Sequence, residues 1–373
     1  MSMRFSFVLA VILLILGGSH LYLARRIWQI LTHFFPKLPF GVLIGLFAVL
    51  LLVLTLGFSR SMLPLPASVK QALGVANACW MGVFLYLLMF FLLTDIAYLL
   101  VRLFHPAERF WFLAAGLILA LAVSGYGFYH ATDLQLKEYD VTIPGAEDLT
   151  IVLISDVHLG AVGSETKLPN IVENINALEP DVVCIAGDVF DSDFAAIRDP
   201  DTAAETLKSL SATYGTWAVL GNHDAGSTAI QMQEYLARCN IGVLKDEYTV
   251  LGNKLVLAGR LDGSPIGGYK GQKRQPLNLD GVDPALPVVV MDHNPAHIGE
   301  YGEEIDLILS GHTHKGQIFP GSLITNWMYT VDYGYYRANG TAPQVIVSSG
   351  VGAWGMPMRV GTDCEIVKIV LHS

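Results

Sequence analysis

The first 130 residues constrain this chain most. Four long apolar runs crowd them: Phe5–Ala24, Pro39–Phe58, Leu73–Val101 and Phe110–Tyr129. A helix needs about 20 apolar residues to cross the hydrocarbon core of a bilayer, and each run reaches that length. Runs so long, with almost no polar face, do not read as helices packed inside a water-soluble protein. The first run can also be read as a cleaved signal peptide. No small-x-small cleavage site stands out, however, and Arg25-Arg26 come directly after it, which favours a retained helix.

Charge divides the chain at the same place. Residues 1–130 carry eight Lys/Arg and two acids (Asp95, Glu108), a net of +6. The remaining residues carry 15 Lys/Arg and 31 acids, a net of −16. This is the pattern of a membrane region followed by a water-facing domain. The total of −10 gives no reason to expect a nucleic-acid partner. Asp95 lies inside the third run. An acid there is a functional candidate by default, unless it sits at the wet end of its helix.

Four crossings put the N-terminus and the C-terminal domain on one side of a cell membrane, which we expect to be a bacterial inner or plasma membrane. The far loops hold Arg25, Arg26, Lys37, Arg102 and Arg109. The near side holds Arg4, Arg60, Lys70 and Lys137. Five against four tips the positive-inside rule toward an extracytoplasmic domain. The cysteines, Cys79, Cys184, Cys239 and Cys364, form no CxxC. They indicate neither a disulfide framework nor a thiolate metal site.

Residues 131–148 are mixed, include Pro144-Gly145, and read as a linker or as a strand leading into the domain that occupies 149–373. Short β-branched apolar runs then recur at 149–154, 181–186, 216–220, 254–258, 287–291, 305–309, 344–347 and 365–371. Bounded by Gly, Pro or Asp, they predict buried strands. Helices are predicted at about 166–178, 201–212 and 228–238 from the spacing of apolar residues. The class is α/β.

The residues just after the strands are more informative. Five strands run into Ser155-Asp156-Val157-His158, Gly187-Asp188-Val189-Phe190-Asp191, Gly221-Asn222-His223-Asp224, Asp292-His293-Asn294-Pro295 and Gly311-His312-Thr313-His314. Each delivers Asp, Asn or His at a strand's C-terminal end, where ligands bind in open α/β sheets. In extended backbone, residues i and i+2 point the same way, so Asp156 with His158, and His312 with His314, are expected to share an aim. The glycines before Asp188, Asn222 and His312 are expected to permit tight turns. Carboxylate, imidazole and amide oxygen together suit divalent Mn, Fe or Zn.

These motifs resemble those of the calcineurin-like metallophosphoesterases, over about residues 149–371. The run from Gly311 to Gln317 is especially similar to membrane-anchored bacterial members, which usually carry Gly where Lys315 stands. The resemblance implies a four-layer sandwich of two mixed β-sheets flanked by helices, here preceded by an α-helical transmembrane region. It implies two divalent metals. Asp156, His158, Asp188 and His314 would hold one, and Asp188, Asn222, His293 and His312 the other, with Asp188 shared. His223 would face the leaving group or a phosphoryl oxygen, oriented by Asp224. Asp191 would steady a ligand or a loop. Two segments depart from the family pattern. Asp262 stands where relatives often show two adjacent acids, and Cys364 precedes Glu365 where relatives often have Pro. Neither touches an expected ligand.

The implied activity is phosphoester or pyrophosphate hydrolysis by a hydroxide bridging the two metals. The anchor points to a lipid-linked substrate such as a phospholipid head group, a polyprenyl phosphate or a nucleotide-linked lipid. The alternatives are a soluble nucleotide, a catalytically silent sensor or scaffold, and, last, a transporter. The segment Phe319–Tyr329, with Tyr333, Tyr335, Tyr336 and Trp354, suits a bilayer interface or the packing of the second sheet. Arg359 could meet a phosphate or serve structure.

Overall fold

The computed structural model describes residues 3–60, 63–160, 162 and 164–373. It divides into two compact units, Met1–Gly127 and Phe128–Ser373.

The first unit is helical. Helices α1 (Met3–Phe34), α2 (Phe40–Phe58), α3 (Ala67–Arg102) and α4 (Arg109–His130, whose last turn belongs to the second unit) cover the four apolar runs. All four are long and apolar enough to cross a membrane. Only 17% to 33% of each span is buried, so large residues such as Leu14, Val49, Leu93 and Ile118 point outward. That inverted arrangement fits hydrocarbon and not water. Asp95 is largely buried and bonded, to Arg26 (2.7 Å), Arg109 (2.8 Å) and Tyr22 (2.7 Å). It thereby joins α1, α3 and α4 as one ion-paired node, a structural use that accounts for an acid in this run.

The second unit holds two six-stranded mixed sheets. The strands of the first are β1 (Leu134–Thr142), β2 (Leu149–Ile154), β3 (Val182–Ala186), β4 (Thr216–Val219), β5 (Ile241–Val243) and β12 (Cys364–His372). Their order is β1-β12-β2-β3-β4-β5, with β2 to β5 parallel. The second sheet comprises β6 (Glu247–Leu251), β7 (Leu255–Gly259), β8 (Val288–Met291), β9 (Leu307–Ser310), β10 (Gly334–Arg337) and β11 (Gln344–Val347). Its order is β10-β11-β9-β8-β7-β6, with β7, β8, β9 and β11 parallel.

Alternation along β2 shows how the layers form. Ile151 and Leu153 face Leu257, Met291 and Leu309 of the other sheet. Val152 and Ile154 face Ile171, Leu207 and Met232. Those three lie on α5 (Ser164–Asn176), α6 (Pro200–Lys208) and α7 (Ala229–Arg238). The outer face of the second sheet is covered by Leu277, Leu279, Leu286 and the 3-10 turn that carries Ile298. This is the expected sandwich of two mixed sheets with flanking helices.

Of the two readings of 131–148, the linker is corrected by the pairing of its central residues, which form the alternative, an entry strand. Residues 134–142 form β1, paired along its whole length with β12. Val141 and Ile143 are buried against the inter-sheet core.

Candidate metal centre

Seven strand-end residues meet where the two sheets converge. β2 leads to Asp156 and His158, β3 to Asp188 and β4 to Asn222. In the second sheet β8 leads to His293, and β9 to His312 and His314.

Among the described residues three groups of donor atoms form: His158, Asp191 and His223 make one, on the Nδ1 edge of His158, and the expected ligands make the other two. Asp156, His158 and His314 make one, with His158 Nε2 3.1 Å from His314 Nε2 and Asp156 Oδ1 3.3 Å from His314 Nε2. Asp188, His293 and His312 make the other, with Asp188 Oδ2 3.3 Å from His293 Nε2. Asn222 Oδ1 completes it, 2.8 Å from His312 Nδ1 and 3.2 Å from His293 Nε2. Asp188 Oδ2 also lies 3.9 Å from His158 Nε2, so it stands between the groups.

The backbone reaches this arrangement by a route that extended strands do not offer. Asp156, His158, Asp188, His312 and His314 all have positive φ, between 50° and 72°. Left-handed backbone costs a non-glycine residue about 1–2 kcal/mol, and such costs cluster at functional sites. The expected i, i+2 alignment therefore does not explain the convergence, and His312 and His314 turn to different groups. Lys315 is left-handed too, at 50°, a conformation that glycine adopts without the Cβ penalty. Of the three expected turn glycines, Gly187 alone has positive φ. Gly221 and Gly311 are needed for space: a Cβ on Gly221 would strike the Asp188 carboxylate, and one on Gly311 would strike Ser155 and Asp156.

Charge states reflect burial. Burial pushes His158 and His312 down to about 3, so both are neutral with a free lone pair at neutral pH. His314 is driven well below its ordinary value by burial and by the Arg359 charge. Burial pushes Asp156 up to about 6, although the His293 charge opposes it. Burial disfavours charge on Asp188 and on His293, yet their mutual attraction prevails and keeps the carboxylate ionised and the imidazole protonated. His293 Nδ1 lies 2.7 Å from the Ala186 carbonyl. It donates there, which aims Nε2 into the site.

The residues fit a divalent-metal pair. Facing nitrogens 3.1 Å apart on two neutral imidazoles can share at most one proton. Beside them lie buried carboxylate and amide oxygens that only accept. Such a concentration of buried acceptors is stable around cations, and its N/O composition suits borderline divalent ions.

His223 is half-buried beside this cluster. Its ring lies 5.2 Å from that of His158 and 5.7 Å from that of Trp354. The expected orientation by Asp224 is corrected. Both Asp224 oxygens accept backbone N–H groups, from Val189, Phe190 and Gly221. Asp224 thus pins the β3 and β4 loops together. His223 Nδ1 is met instead by Ser192 Oγ at 2.5 Å. Sequence reasoning missed Ser192, because the contact depends on its left-handed turn (φ 61°). Asp191 Oδ1 lies 3.9 Å from His158 Nδ1, on the ring edge away from the cluster.

Arg359 does not reach a substrate position. It is fully buried. Its guanidinium donates to the carbonyls of His314 (3.1 Å), Ser349 (2.7 Å) and Gly352, bracing the turn after β9 against the loop between β11 and β12. Asp262 is buried and caps Ser264 N. The four cysteines are free. Tyr333 bonds Glu365, Tyr335 bonds Gln344, and Tyr336 packs on the second sheet. Those three serve the sheet, whereas Trp354 stays half exposed beside His223.

The calcineurin-like phosphoesterase family profile matches residues 149–316. An uncharacterised metallophosphoesterase of Helicobacter pylori is 34% identical over 274 residues, 70% of each chain. A transmembrane protein with a metallophosphoesterase domain from Danio rerio is 32% identical over 280 residues, 69% of this chain and 62% of that one. An uncharacterised metallophosphoesterase of Aquifex aeolicus is 29% identical over 263 residues, 69% of this chain and 99% of that one. The four apolar helices and the transmembrane relative mark a membrane protein, and the donor groups mark a dinuclear divalent-metal site. By profile, relatives and strand-end chemistry together, the chain belongs to the calcineurin-like phosphoesterases and is a phosphoester hydrolase.

Proposed function

We propose that this chain is a multi-pass bacterial membrane protein that hydrolyses a phosphoester or pyrophosphate bond of a lipid-linked substrate, on the extracytoplasmic side. The observation that carries the chemistry is the pair of donor groups meeting at Asp188. Asp156, His158, Asp188 and His314 would hold one divalent ion. Asp188, Asn222, His293 and His312 would hold the other, with Mn, Fe and Zn all suited to the donors. When bound, the ions supply a lowered water pKa and a clamp on the attacking and leaving oxygens.

The protein's own groups do the rest. Ser192 holds His223 at Nδ1, which leaves Nε2 to give a proton to the leaving oxygen. The buried walls exclude bulk water and strengthen every charge interaction within. The anchor supports the lipid reading, because it confines the hydrolase to a bilayer where soluble substrates offer no reason for confinement.

The test uses the full chain loaded with Mn and a lipid extract, with mass spectrometry of what disappears. Consumption of a phospholipid or lipid pyrophosphate is expected. Consumption of soluble nucleotides alone would reverse the substrate assignment. His223→Ala should lose turnover by about 100-fold or more and retain both metals. Asp188→Ala should lose at least one metal. A His223→Ala protein without metal would overturn this division of roles. A reporter fused after residue 373 settles sidedness.

A further inference from the structure

Helix α8 (Gly321–Met328) comes after the last metal motif and buries none of its residues. Its large apolar side chains stand out from the surface: Leu323 is 63% exposed, Ile324 58%, Trp327 85% and Met328 61%. At spacings of one, four and five they share one helical face. No residue of α8 carries a charge. An isolated exposed apolar residue is ordinary, but a contiguous face of four marks an interaction surface.

Two features of the second unit identify the occupant. The first is nearness to the centre. α8 packs on the turn at His314–Gly316, where Gly316 touches Gly321 and Ser322. The residue that ends it, Tyr329, stacks edge-on to His312 with ring centroids 6.2 Å apart. The second is the point where the chain enters the unit. Only residues 131–133 separate α4 from β1. β1 starts opposite Cys364, and β12 runs antiparallel to β2. The chain therefore enters at the end of the sheet where β2 delivers Asp156 and His158. One short loop serves both features: Phe319 N bonds the Val360 carbonyl (2.8 Å), and Asp363 bonds His130 (2.9 Å) at the end of α4. The uncharged apolar helix and the end of a membrane-length helix thus hang from the loop 360–363.

We propose that α8 docks into the interfacial layer of the bilayer that anchors the chain. Leu323, Ile324, Trp327 and Met328 enter among the head groups and upper acyl chains, as the apolar face of an interfacial helix does. Trp327 suits that layer, with an apolar body and a single N–H donor. The metal centre then opens on the lipid surface, and a head-group phosphoester reaches it without leaving the membrane. This last step rests on the lipid substrate proposed above, whereas the docking itself does not.

Depth is therefore read without turnover. The full chain carries Cys79→Ala, since the other native cysteines are buried, and one nitroxide, at Trp327→Cys or at Leu323→Cys. It is reconstituted in phosphatidylethanolamine/phosphatidylglycerol nanodiscs. Collision with oxygen is compared with collision with a water-soluble nickel chelate. A nitroxide at Glu205→Cys, an exposed position of α6, is the aqueous reference. Labels at 323 and 327 are expected to favour oxygen over nickel by roughly ten-fold relative to 205. Equal nickel access at 327 and 205 overturns the proposal. So does protection in detergent that rises with protein concentration, which would mean a second copy covers α8. Leu323→Gln/Trp327→Gln should also lower turnover of vesicle-borne relative to detergent-dispersed substrate by about ten-fold. Confirmed depth with an unchanged ratio would uphold the docking and count against the lipid substrate alone.

Discussion

At the scale of single residues, the site depends on groups that no substrate touches. Asp224 is fully buried and accepts three backbone N–H groups from two loops. Asp224→Ala leaves those donors without a partner, at about 1–3 kcal/mol for each unsatisfied group. We expect a loss of about 3 kcal/mol or more in the second unit, read by thermal unfolding, together with weaker metal retention. If Asp224 instead oriented His223, the variant would keep its stability and lose only rate. Ser192 is the opposite case. Ser192→Ala should keep metal and stability and lower kcat by about ten-fold, a fraction of what a general acid contributes, with KM unchanged. Ser192→Thr should restore part of the rate. In a His223→Ala background the Ser192 change should add nothing, because coupled residues are not additive. An equal loss in both backgrounds would remove Ser192 from His223's function. The donor residues were legible because Asp, Asn and His at successive strand ends are rare outside such sites. Ser192 and the bracing by Arg359 were not, since each depends on backbone turns that alternation and spacing do not encode.

At the scale of elements, legibility tracked burial. The strands of the two sheet centres are unbroken apolar runs because both faces are covered, and all were readable. β5, β6 and β10 are three to five residues long and partly exposed, so their apolar signal is diluted. β1 admits two readings in sequence, linker and entry strand, for a different reason. It lies at a sheet edge and carries Lys137, Glu138 and Asp140, charges that natural edge strands use to discourage further pairing. The same charges gave it the composition of a linker. Its contribution is testable by truncation. A fragment beginning at residue 149 lacks the nine pairings to β12 and the buried Val141 and Ile143. Burial of side chains that size is worth about 1.5–3 kcal/mol each. The 149–373 fragment should therefore aggregate or melt well below the 128–373 fragment when both are compared by circular dichroism and sedimentation. Equal melting of the two would return 131–148 to the status of a linker.

At the scale of the whole molecule, the metal centre is also a joint between the two sheets. The first sheet supplies Asp156, His158, Asp188 and Asn222, and the second supplies His293, His312 and His314. Bound ions would tie together strand ends that otherwise meet through the inter-sheet core. Their removal leaves two buried carboxyl groups and the converging imidazoles with a proton on His293 in place of two divalent ions, and buried polar groups are costly unless satisfied. Ligands that bind only the folded state stabilise it by mass action, by about 4 kcal/mol at a thousand times Kd. No described residue of the helical unit is among these donors. Chelation should therefore lower the unfolding temperature of the second unit by several degrees, at roughly 2–4 °C for each kcal/mol in a domain of this size, and leave the helical unit unchanged. Intrinsic fluorescence of Trp217 and Trp354, in a variant whose Trp28, Trp80, Trp111 and Trp327 are changed to Phe, reports the first, and far-ultraviolet helix signal in detergent, dominated by α1 to α4, reports the second. Readdition of Mn or Zn should reverse the shift in wild type and fail to do so in Asp188→Ala. A chelator that moved both transitions equally, or neither, would mean that the strand-end cluster does not bind the ions on which this assignment of the centre depends.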